Sequence, residues 1–178
     1  MAIEDAEQQI KLWLQLAHEA YGNRRIPRAL HYFHRALEYA QERGQSHEVG
    51  LICRDLGYVY AREESPDRAL AYLNQGLAIP GLDLTVQIGL MANKASVLAG
   101  LGAYRSALAV LEDSYGLIDS MYSDFSRAPG QLVHSYAAIV RMADDFRRVV
   151  EFLDMGVSPE RIQVEIKRYE PPWLSSNQ

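Results

Sequence analysis

The chain has 178 residues, of which 48% are hydrophobic and 23% charged, with 18 basic and 23 acidic side chains giving a net charge of −5. That composition excludes a disordered polymer and argues against general nucleic-acid binding, which needs a basic face. A single cysteine, Cys53, excludes an internal disulfide framework and a thiolate metal cluster.

The N-terminal stretch MAIEDAEQQIK is polar and acidic, without the basic start and apolar run of a secretory signal. No run of about 18 apolar residues follows anywhere, so no membrane span is expected. The expected location is cytoplasmic. Apolar residues recur at three- and four-residue spacing almost throughout, which is the helical period. Prolines fall at the segment edges, at positions 27, 66, 80, 129 and 159.

In chain order, residues 4–44 predict a first helix with Trp13, Leu16, Ala17 and Ala20 on one face, then a second with Ala29, Phe33 and Ala36. Residues 46–80 repeat the arrangement, with Leu56, Gly57 and Tyr60, then Ala69, Leu73 and Gly76. Residues 83–122 follow with Ala95 and Leu98, then Ala107 and Leu111, across a tight turn at Gly102. Residues 126–157 predict a weaker fourth pair, with Tyr136, Ala137 and Val140, then Phe146, Val149 and Leu153. In every copy a first-helix residue precedes a second-helix residue by twelve: Ala17 and Ala29, Gly57 and Ala69, Ala95 and Ala107, Ala137 and Val149. Small side chains at such crossings let helix axes approach to about 8–10 Å. Phe33, Leu73, Leu111 and Leu153 are expected to fill the space between successive pairs. Residues 158–178 predict a capping helix, started by Ser158 and Pro159 with Ile162, Ile166 and Tyr169 on one face, and then an irregular tail broken by Pro171 and Pro172.

These copies resemble tetratricopeptide repeats, whose pattern runs Trp-x2-Leu-Gly-x2-Tyr, then Ala-x3-Phe. Leu56-Gly57-x2-Tyr60 with Ala69 matches it in the second copy, and Trp13-x2-Leu16 with Ala29-x3-Phe33 in the first. The resemblance implies an all-α chain: a right-handed α-solenoid of four stacked antiparallel helix pairs over 1–157, with the capping segment after it. The steps from Ala29 to Ala69, Ala107 and Val149 exceed the family's period of about 34 residues. Second helices longer by a turn or two, or longer links between pairs, are therefore expected.

Chemistry is sparse. His31 and His34 share a helical face, but no HExxH pattern or His/Cys cluster supplies further metal ligands. AGLGAY at 99–104 lacks the Lys-Ser/Thr of a phosphate loop. Cys53 sits on an apolar face and reads as core. No nucleophile, base and orienting group fall together. The expectation is a non-enzymatic chain with no cofactor and no metal.

In the resembling family the first helices line a concave groove. Helical spacing assigns it Lys11, His18 and Tyr21, then Arg54, Tyr58 and Arg62, then Gly89, Ala92, Ser96 and Ala99, then His134 and Arg141. The third set is small and is expected to form a deep floor. The cationic neighbours suggest an acidic peptide or helix as partner, with Arg54, Arg62 and Arg141 supplying charge-assisted bonds. The carboxylate clamp of chaperone-binding members is not matched, since Asp55, Gly89 and Asn93 stand where Asn, Lys and Arg are wanted. The functional expectation is an adaptor or scaffold holding one protein partner. The alternatives are the sensing region of a bacterial transcription regulator, or a self-assembling scaffold whose homo-oligomer forms through the C-terminal segment. No nucleic acid and no membrane are expected as partners.

Overall fold

The computed structural model describes residues 2–121 and 130–162. Seven α-helices follow in order: α1 Ala2–Gly22, α2 Ile26–Glu42, α3 Ser46–Arg62, α4 Pro66–Leu77, α5 Leu84–Gly100, α6 Tyr104–Met121 and α7 Gly130–Asp154. No strand occurs among the described residues. Helices α1 and α2, α3 and α4, and α5 and α6 pack as hairpins, and each hairpin packs on the next. The chain is an all-α helical-repeat solenoid.

One turn explains the constant twelve-residue relation. The links within the three hairpins each have three residues, and the middle one is left-handed: Arg24 at φ 56, Glu64 at φ 54 and Gly102 at φ 77. In each, the third residue's amide reaches back to the carbonyl five positions earlier: Arg25 to Ala20 at 2.8 Å, Ser65 to Tyr60 and Ala103 to Leu98 at 2.9 Å. This is the Schellman arrangement, which satisfies carbonyls that a helix end leaves orphaned. Pro27 and Pro66 then sit in the opening turns of α2 and α4, where a missing amide proton is harmless. Ser65 makes no side-chain cap to α4; the hydroxyl is turned to the carbonyl of Glu63.

The fourth copy is one helix, not a pair. Helix α7 runs unbroken for 25 residues. Its chain between Val140 and Phe146 is Arg-Met-Ala-Asp-Asp, with no glycine and no proline, and no residue there is left-handed. Without the turn, the twelve-residue spacing is only helical periodicity. Ala137, expected at a helix crossing, is exposed. The buried stripe is instead Ser135, Ile139, Met142, Ala143, Phe146 and Val149. The turn appears only at the end of this helix, at Gly156 with φ 76, where Val157 bonds back to Phe152 at 3.0 Å.

The expected capping helix begins with Ser158 and Pro159 but forms a single 3-10 turn, Pro159–Arg161, and Ile162 is extended. The rest of that expectation, including Ile166, Tyr169 and the tail, lies outside the described residues. The long period has two sources. Helix α2 has 17 residues and α6 has 18, whereas α4 has 12 and is followed by a six-residue link at 78–83.

The core falls into two clusters joined by α5. Val86, Leu90 and Val97 belong with α1 to α4, while Ile88, Ala92, Ala95 and Ala99 belong with α6 and α7. Helix α5 touches α3, α4, α6 and α7, which is why its sequence is apolar on every side. At the second hairpin, a Cβ on Gly57 would lie 2.5 Å from both Cγ and Cδ2 of Leu73. Leu73 thus packs closely within its own hairpin. Gly57→Ala is expected to destabilise the protein. Alanine gains roughly 1 kcal/mol over glycine in a helix, but overpacking a filled core costs about 1–3 kcal/mol. The net loss, up to about 2 kcal/mol, is read as a lower urea midpoint at unchanged slope.

Candidate functional site

The side chains of α1, α3 and α5 meet along one side of the solenoid. Between α1 and α3 the join is polar and aromatic. His18 Nε2 stands 3.0 Å from Asp55 Oδ2, and Tyr21 meets Tyr58 edge-on with centroids 6.1 Å apart. Arg62 hydrogen-bonds to Tyr21; burial raises the Tyr21 hydroxyl above its ordinary pKa, with the Arg62 charge opposing.

Asp55 organises this group although it is only 2% exposed. Arg54 Nε and Nη2 both reach its Oδ1 at 2.9 Å. A buried carboxylate is tolerable only when paired and hydrogen-bonded, and His18 and Arg54 supply that. Arg54, expected as a groove cation for a partner's acid, is therefore committed to its own neighbour. The carbonyl of Arg54 in turn accepts from Asn93 Nδ2 of α5 at 3.3 Å.

Next to this network lies a pocket of about 390 Å³. Its floor and walls are Tyr58, Ala61, Asn93, Ser96, Val97 and Gly100, with Arg62, Glu64, Pro66 and Leu101 completing the lining. The volume is in the range of small-ligand and side-chain sites. It sits where the end of α3, the turn into α4 and the second half of α5 converge.

The structure thus brings together His18, Tyr21, Arg54, Tyr58, Arg62 and Ser96 of the expected groove residues. Lys11 is exposed on α1, outside these contacts. Arg141 is exposed too, on the side of α7 turned away from its buried stripe. The side chain of His134 lies outside the described residues. The expected small-residue floor is not open: Gly89 and Ala92 are buried, Ala99 is 7% exposed, and only Ser96 of that set borders the pocket. Close helix packing around α5 takes up the small residues. Sequence reasoning missed Asp55 as an organiser and Asn93 as a pocket residue. The signal was a carboxylate and an amide at otherwise buried helical positions, where polar groups need partners.

The chain matches no protein-family model, no curated protein and no solved structure. Functional inference therefore rests on the side chains themselves.

Other polar groups have structural roles. His34 Nε2 meets the Tyr60 hydroxyl at 3.1 Å, and burial lowers its pKa. Tyr60 stacks on Tyr72 with the rings 2° from parallel. His31 is exposed and packs on Tyr32. Among the described residues no three His, Cys, Asp or Glu side chains are placed to hold a metal ion, and no helix is long and apolar enough to cross a membrane.

Cys53 is wholly buried, and desolvation pushes its thiol from 9.0 up to about 12. The native protein is expected to leave a disulfide reagent such as dithionitrobenzoate unconsumed at neutral pH and to react stoichiometrically once unfolded. The same shift predicts a pH dependence. Above pH 9.0 the unfolded chain loses this proton while the folded chain keeps it, so stability falls as pH rises toward about 12. Cys53→Ala should flatten that part of the curve of melting temperature against pH.

Proposed function

We propose that the chain is a non-enzymatic tetratricopeptide-type binding module, working in the cytoplasm, that holds a peptide of another protein along α1, α3 and α5. The observation that carries this is the pocket of about 390 Å³ beside the Asp55 network, in which apolar walls and hydrogen-bonding groups converge on one open concavity. Peptide grooves combine these two features: apolar walls give affinity, and a few fixed polar groups give register. Rigid support favours the same reading. The Asp55 network and the crowded packing of α5 hold the lining side chains in place without a partner, which lowers the ordering cost of binding.

The chemistry present supports binding more than turnover. The one thiol is buried and held protonated, and the histidine nearest the pocket network is engaged with Asp55. An acidic partner is not part of the proposal. Arg54 is neutralised by Asp55, and Arg62 shares the pocket lining with Glu64.

The test is selection of peptides from a displayed random library against the intact chain, followed by amide chemical-shift mapping of the winners. Perturbations are expected at Tyr21, Tyr58, Arg62 and Ser96. Enrichment of nothing, or perturbations confined to the outer faces of α2, α4 and α6, would remove the reading.

A further inference from the structure

Asn93 is 2% exposed and lines the pocket. Its Nδ2 faces the Arg54 carbonyl at 3.3 Å, which fixes the orientation of the amide, since a carbonyl oxygen facing a carbonyl would repel. Among the described residues nothing donates to Asn93 Oδ1. The neighbouring Ser96 hydroxyl is turned to the Ala92 carbonyl at 3.0 Å. A buried acceptor without a donor is unfavourable and calls for an explanation. Here the unmet acceptor and the second Nδ2 proton both belong to a side chain that forms part of the pocket wall.

We infer that the pocket holds one residue of an extended peptide strand, whose main-chain N–H donates to Asn93 Oδ1 and whose side chain lies against Ala61, Val97 and Leu101. This rests on the peptide-binding reading above and specifies its ligand. A carboxamide offers one acceptor and one donor, which is the complement of a peptide group. A helical ligand would gain nothing from it, because its own amides and carbonyls are already paired along the helix. An extended strand leaves them available. The charges at the pocket, Arg62 and Glu64, are of opposite sign, so the residue held is uncharged and the amide sets the register.

Gly100 gives a way to close the pocket without harming the fold. It is helical and exposed, and a Cβ there would meet nothing within 4 Å. Gly100→Leu should therefore keep or raise the melting temperature, leucine being the better helix former, while its side chain occupies the cavity. Asn93→Leu should also leave stability unchanged or raised, because it replaces an under-satisfied buried amide with an apolar group of similar size.

The probe is N-acetyl-leucine N-methylamide, titrated into the intact chain and followed by amide and Asn side-chain chemical shifts. A dissociation constant on the order of a millimolar is expected for a ligand of this size. Shifts should centre on Asn93, Ser96, Val97 and Gly100. The analogue methylated on the leucine nitrogen lacks the donated N–H and should bind about tenfold more weakly. Gly100→Leu should abolish binding, and Asn93→Leu should weaken it to the level of the methylated analogue. Equal affinity for the two probes would overturn the assignment, as would a large loss of melting temperature in Asn93→Leu. If library-selected peptides perturb the groove yet bind Gly100→Leu as tightly as the parent, this inference fails while the groove reading stands.

Discussion

Asp55→Ala is expected to cost about 3–5 kcal/mol of folding stability, the usual consequence of removing one partner from a buried ion pair. The side chain of Arg54 is 11% exposed and that of His18 is 23% exposed, so neither is well solvated without Asp55. At this chain length the loss corresponds to a melting temperature lower by roughly 6–20 °C. The mechanism makes a second, sharper statement. If the loss comes from an uncompensated buried cation, removing that cation as well should recover most of it. Arg54→Met combined with Asp55→Leu is therefore expected to be much more stable than Asp55→Ala, since apolar residues often replace a buried pair at little net cost. Urea unfolding of the three proteins measures it. A double variant no better than the single one would show that Asp55 acts through geometry rather than charge.

That carboxylate marks the boundary of what the sequence makes readable. The hairpins are visible because their cause is local: a small residue at a crossing, a three-residue link, an apolar stripe of helical period. Gly57 and Ala69, Ala95 and Ala107, and Ala17 and Ala29 lie in these hairpins as the spacing requires, and the three alanines of the second helices are completely buried. Asp55 was readable only as a charge on α3. Its partners come from 37 positions away and from the adjacent residue. Whether a helical arginine faces a ligand or an adjacent carboxylate depends on rotamers set by packing, not on spacing. The same holds for Asn93, whose contact spans 39 positions. The open floor expected from Gly89, Ala92 and Ala99 failed for a related reason. Small residues permit either a cavity or a closer helix, and at α5 four neighbouring helices made it the latter.

Arg147→Pro separates the two readings of the fourth copy. Arg147 is exposed, and its ion pair with Asp144 at 2.8 Å lies on the surface and contributes little. The substitution thus alters the backbone almost alone. Within a continuous helix, proline removes a hydrogen bond and clashes with the carbonyl four residues back, costing about 3 kcal/mol or more. In a hairpin like the first, the same position is that of Pro27, in the opening turn of the second helix, and would tolerate it. Helix α7 gives the first outcome, because Ala143, Phe146 and Val149 on either side of Arg147 are all in the second core cluster or fully buried beside it. A kink there would tear that stripe from α5 and α6. Arg147→Ala is the control and should be within about 0.5 kcal/mol of the parent. Urea midpoints that match for the proline and alanine variants would mean that residues 141–145 form a turn, and that the solenoid ends in a fourth hairpin after all.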